Sequence, residues 1–165
     1  MTLREFYVHR LTLEAPVFLN VLKALPKDQL QYKPHEKSPT AEQLVWIITS
    51  ELKNCLDIVK ERKTEWNNAP PPPMDEMLEL YERWSNELTE QVPKMDDAGW
   101  DEACGFYVDG KLLIEKPAGT FLLYILFDAV HHRGQLTAYL RPMGGKVPSV
   151  YGPSADDKSM GVPME

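Results

Sequence analysis

Apolar positions recur at helical spacing in four stretches of the chain, and proline- or glycine-rich breaks fall between them. The first predicts a helix over about 3–25, with Leu3, Phe6, Leu13, Val17 and Val21 on its inner side. Pro16 lies inside that stretch and predicts a kink or local break, because proline removes a backbone donor. The polar run "PKDQLQYKPHEKSPTAEQ" reads as a connection. A second helix is predicted to start near Thr40, since Thr40 and Gln43 have capping-box spacing, and Leu44, Ile48, Cys55 and Ile58 then share a face.

"NNAPPPPM", residues Asn67 to Met74, predicts a stiff extended linker. A third helix follows over about 75–91, with Leu78, Tyr81, Trp84 and Leu88 facing inward. Between Pro93 and Pro117 the helical period is lost, and "ACGFYVDGKLLIEK" places Asp-Gly between two β-prone runs, which predicts a two-stranded ribbon. The fourth helix covers about 118–140. Its first half, "TFLLYILFDAV", is apolar nearly all round, as expected of a central helix or one covered by another subunit, so a homodimer is expected. The Gly- and Pro-rich tail predicts an irregular surface segment.

At 165 residues with 43% hydrophobic composition, one domain over residues 1–165 is expected. The net charge of −7, with no basic stripe, argues against a nucleic-acid partner. Charged runs such as "KERKTEW" and "LYERWSNELTE" read as solvated helix faces. No signal-peptide pattern opens the sequence, and no stretch approaches the roughly 20 apolar residues needed to span a bilayer. Two cysteines, Cys55 and Cys104, provide neither a disulfide framework nor a cysteine-only zinc site. A cytoplasmic protein is expected.

The candidate chemistry lies where ionisable residues interrupt apolar stripes. On the fourth helix, Phe121, Ile125, Asp128, His132, Gln135 and Tyr139 share one narrow face at about 100° per residue, whereas His131 points aside. Asp128 and His132 are therefore expected to enter the interior together. Glu51 sits at the centre of the apolar stripe on the second helix, where an unpaired carboxylate is costly. If the two helices face each other, Glu51, Asp128 and His132 converge as two carboxylates and an imidazole, a plausible ligand set for a divalent metal. The alternative is structural: Asp128 pairs with His132, Arg133 or Arg10, and Glu51 with a lysine. His9 and His35 read as ordinary histidines. No nucleophile elbow or phosphate-binding glycine loop is present.

The stretch "HHRGQLTAYLRPMGGKVPSVYGPSADD", the loop "YKPHEKSPTAEQLVW" and the Asp-Gly ribbon resemble the DinB-like family of bacterial damage-inducible proteins. The resemblance implies an all-α four-helix bundle of up-down-down-up connection, with a short β-ribbon before the last helix, usually as a homodimer. It also implies a divalent metal, often zinc or nickel, held by three histidines, and thiol-dependent chemistry in some members. This chain departs from that pattern: Ile47 stands at the first histidine position and Asp128 at the second, and only His132 matches. Two readings follow. In the first, the site is degenerate and the protein is non-catalytic or weakly metal-binding. In the second, Glu51 joins Asp128 and His132 in an oxygen-rich site favouring manganese, iron or zinc, within a metal-dependent enzyme acting on a small molecule, for example a thiol S-transferase.

Overall fold

The computed structural model describes residues 1–66 and 69–163. Helix α1 spans Leu3–Lys23, α2 spans Ala41–Glu61, α3 spans Met74–Gln91 and α5 spans Ala118–Leu140, with a short α4 at Asp97–Asp101. Three strands complete the fold: β1 at Lys63–Trp66, β2 at Ala103–Val108 and β3 at Lys111–Pro117.

The helix starts follow from local chemistry. Thr2 and Glu5 form a reciprocal capping box on α1, and Thr40 and Gln43 do the same on α2, each satisfying two backbone donors that helix ends leave orphaned. Pro16 neither ends nor splits α1. The inner face of α1 matches the expected one at Val17 and Val21 and departs from it elsewhere. Tyr7, Leu11, Glu14, Phe18, Val21 and Leu22 are buried, whereas Leu3 and Phe6 are 63% and 37% exposed. On α2 the expected stripe is the buried one, from Leu44 through Ile48, Glu51 and Cys55 to Ile58. On α3 Tyr81 and Leu88 are buried with Met74 and Met77, while Leu78 and Trp84 are half-buried.

Each long helix packs against two others, α1 on α3 and α5, and α2 on α3 and α5. Val21, Leu22, Leu44, Ile48, Met77, Leu88, Leu122 and Leu136 meet in one core. Gly119 at the start of α5 lets Trp100 lie against it, since a Cβ there would fall 2.0 Å from the indole.

The expected ribbon is present as β2 and β3, antiparallel, joined by Asp109 and Gly110 at φ 50° and 72°, as a primed hairpin turn requires. The sheet has a third strand that the periodicity does not predict: β1 pairs parallel to β2, with Lys63 opposite Gly105. "KERKTEW" is therefore not one helix face. The helix ends at Glu61, Arg62 adopts a left-handed cap (φ 53°), and the next four residues are extended. Of the expected linker, Asn67 and Asn68 lie outside the described residues, and residues 69–73 are neither helix nor strand. The tail after Leu140 is irregular but anchored, with Ser149 and Val162 each 3% exposed.

Candidate metal centre

Glu51 occupies the middle of the buried α2 stripe and is 5% exposed. One turn further along lies Cys55, whose sulfur accepts a long hydrogen bond from the Tyr7 hydroxyl (3.8 Å). Burial pushes both that thiol and that hydroxyl well above their ordinary ionisation ranges. Neither group offers Glu51 a positive charge. Burial is also the main reason its carboxyl is pushed well above the usual carboxylate range, and the nearby Asp128 carboxylate adds to it. Among the described residues Glu51 Oε2 has no hydrogen-bond partner. A buried carboxylate oxygen in that state is expensive unless a proton or a cation meets it.

The partners come from α5, which packs directly on α2. One oxygen each of Glu51 and Asp128 and one nitrogen of His132 all lie within 4.8 Å of one another. His132 Nε2 is 3.7 Å from Asp128 Oδ2, and its Nδ1 is 2.9 Å from Gln135 Oε1. With Nδ1 donating to Gln135, Nε2, the nitrogen on the Asp128 side, carries the lone pair. The expected convergence therefore occurs, but not in the deep interior. The centre of the buried face of α5 is Leu122, Leu126, Arg133, Leu136 and Leu140, and the Asp128 stripe runs along its flank, with the Asp128 side chain 41% exposed. Because α5 is apolar on several sides, its pattern alone does not single out the face that meets α1 and α2.

That flank position gives the cluster access. Glu51 and Asp128 border a groove of about 470 Å3 lined mainly by apolar side chains, among them Trp66, Phe106, Ile114 and Tyr124. Ile47 is half-buried and borders a separate depression with Pro39 and Trp46. The other histidines stay out of the cluster, and His131 is exposed beside His132.

Arginines offered as partners for Asp128 are engaged elsewhere. Arg133, 1% exposed, donates to Glu14 Oε2 at 2.6 Å, Arg10 pairs with Glu14 Oε1, and the Tyr151 hydroxyl donates to the same oxygen at 2.9 Å. The Arg133 guanidinium also lies 4.2 Å above the Phe18 ring. The periodicity misses this cluster. The one local signal is the i,i+4 spacing of Arg10 and Glu14, since Arg133 and Tyr151 are distant in sequence.

Comparison with known proteins bears on the whole arrangement. A family model described as the DinB family matches residues 5–160. A curated relative, the uncharacterised protein YrdA of Bacillus subtilis, is 37% identical over 43 residues, about a quarter (26%) of each chain. Among solved structures, a DinB-like protein of Bacillus cereus superposes with a TM-score of 0.72 at 20% identity, covering 89% of this chain and 97% of its own. The DinB-like protein YjoA of Bacillus subtilis gives 0.65 at 19% identity, covering 85% and 93%. At those identities the likeness establishes the fold.

Proposed function

This chain belongs to the DinB family, and on that premise we propose that it is a divalent-metal-binding member in which Glu51, Asp128 and His132 hold the ion. The observation that carries this is the convergence of one donor atom from each residue, with an oxygen of the same buried Glu51 carboxylate left without a hydrogen-bond partner among the described residues. The donor set fits a cation: two oxygens and one imidazole nitrogen favour manganese, iron or zinc. Glu51 supplies, one turn along α2, the ligand that Ile47 cannot. Such an ion supplies Lewis acidity to an oxygen or sulfur of a small molecule. Binding strengthens as pH rises, because burial raises the Glu51 carboxyl and the ion competes with its proton.

Elemental analysis of untagged protein, beside Asp128→Ala and His132→Ala, tests this. Near-stoichiometric metal is expected in the wild type and at least a roughly tenfold loss of affinity in each variant. Metal content that ignores both substitutions would remove the assignment, and so would failure to bind zinc, manganese or iron at mildly alkaline pH.

A second reading, metal-dependent catalysis on a small molecule, is favoured by the groove that opens beside Glu51 and Asp128. A thiol S-transferase is one form of it. In that case the thiol belongs to the substrate, since Cys55 is buried and held protonated.

The same proposal extends to architecture and setting. We read the chain as one domain and its long helices as an up-down-down-up bundle. Support comes from the ion pair of Lys60 with Glu87, which joins the C-terminal halves of α2 and α3. The Trp46 indole N–H donates to the Ala69 carbonyl, bringing the segment after β1 back towards the start of α2, and the Tyr139 hydroxyl donates to the Pro39 carbonyl, joining the end of α5 to that region. Homodimerisation is supported by Tyr124 and Phe127 on α5, 69% and 61% exposed. Among the described residues no helix is long and apolar enough to cross a membrane. A cytoplasmic setting is supported by the free thiols of Cys55 and Cys104.

A further inference from the structure

Three of the four tryptophans meet at a third depression, which shares Trp66 with the groove beside Glu51 but is lined by none of the three candidate ligands. Trp46 of α2, Trp66 of β1 and Trp84 of α3 line a pocket of about 640 Å3, with Asp57, Glu65 and Asp109 around it. The fourth, Trp100, is buried beside Tyr7. Trp46 and Trp84 are half-buried and Trp66 is 40% exposed.

The position of the acids is built into the fold. Asp109 is the first residue of the hairpin turn, and Glu65 Oε1 accepts the Gly110 N–H at 2.7 Å, tying that turn to β1. Lys53 is the only cation lining the pocket among the described residues, and its ammonium is paired with Asp57. Glu65 and Asp109 have no ion-pair partner among the described residues. Three carboxylates against one ammonium leave a negative pocket walled by indoles.

An indole face is itself electronegative, so walls and rim attract the same kind of guest. A small metal ion is a poor match. It needs converging oxygens, and among the described residues the only converging donor group is Glu51, Asp128 and His132. Arg83, which is not among the lining residues, sits 5.8 Å above the Trp84 ring, a contact of the kind the pocket offers.

We propose that this pocket binds a small organic cation, a free molecule bearing an alkylated ammonium group, with Trp46, Trp66 and Trp84 as its walls and Glu65 and Asp109 as its counter-charges. Alkylated ammonium suits it because the methyl groups make dispersion contact with indole, and the spread charge gives up its water more readily than a primary ammonium does.

Calorimetric titration of the full chain with choline chloride is the test, with sodium chloride and the uncharged carbon isostere dimethylbutanol as controls. Saturable heat from choline alone is expected. The dissociation constant should rise roughly three- to tenfold in Trp66→Ala and in Asp109→Asn, and stay unchanged in His132→Ala. Asparagine accepts the left-handed backbone at position 109, so that variant keeps the turn if Trp66→Ala unfolds. No saturable heat from choline overturns the proposal. So does an equal response to dimethylbutanol, or binding unchanged in Asp109→Asn and in folded Trp66→Ala.

Discussion

Replacing Glu51 by glutamine should make the metal-free protein more stable at neutral pH and abolish most of a pH dependence that the wild type carries. In the folded chain, burial and the Asp128 carboxylate hold the Glu51 carboxyl well above its ordinary value of 4.5, which is where it ionises once unfolded. Between those two values the native state keeps a proton that the unfolded state has released. Stability therefore falls as pH rises through the window and levels off above the native value. The limiting slope is about 1.4 kcal/mol per pH unit. For a chain of this size that is roughly 3–6 °C in Tm per unit. With Glu51 only 5% exposed, solvent screening reduces the slope little. Glutamine carries no charge to bury, so the variant's curve should be flatter. Urea denaturation of chelator-treated wild type and Glu51→Gln at roughly pH 5, 6 and 7 reads the difference. Curves that run parallel across that range would refute the account of Glu51 as a buried, proton-holding acid. Manganese or zinc added at neutral pH should then stabilise the wild type and not the variant.

Three further outcomes follow from the packing. Arg133→Met leaves Glu14 buried with only Arg10 and Tyr151 as partners, and should cost about 3–5 kcal/mol in urea denaturation; a cost below about 1 kcal/mol would show the pair to be dispensable. Gly119→Ala drives a methyl into the Trp100 indole and should cost about 1–3 kcal/mol, with a changed near-ultraviolet signal from that ring. Phe127→Asp should shift the sedimentation coefficient of the proposed homodimer to that of a monomer while helical content is kept, and an unchanged coefficient would refute an interface on α5.

Where one face of an element is clearly apolar, its sequence discloses its role. The α2 stripe, its Thr40–Gln43 cap and the intrusion of Glu51 are local patterns and survive intact in the fold. The helical spacing of Asp128 and His132 likewise holds, but α5 is apolar on several sides, so its pattern placed them deeper than they lie. On α1 the error is larger. Leu3 and Phe6 carry the apolar signal yet face solvent, whereas the acid Glu14 is buried. Within one turn of Glu14 only the part-exposed Arg10 pairs with it, and its buried partner, Arg133, is on the last helix. Strand β1 is hidden for a similar reason. Four residues of "KTEW" have no alternation strong enough to declare a strand, and their partner β2 is some forty positions away.

The knot of Glu14, Arg133 and Tyr151 also orders events in time. Its contacts join residues 119 and 137 positions apart, so α1 leaves the ribosome with only the part-exposed Arg10 beside its acid, long before the buried partners Arg133 and Tyr151 exist. Until α5 and the tail arrive, the inner face of α1 carries a carboxylate that favours water over any apolar surface. That penalty opposes early docking of α1 and leaves the growing chain waiting on contacts of high sequence separation, which form slowly. Completion of this fold is then a late, cooperative closure that depends on the C-terminal tail. A ribosome-stalled chain ending before Arg133 should show α1 still open to proteolysis.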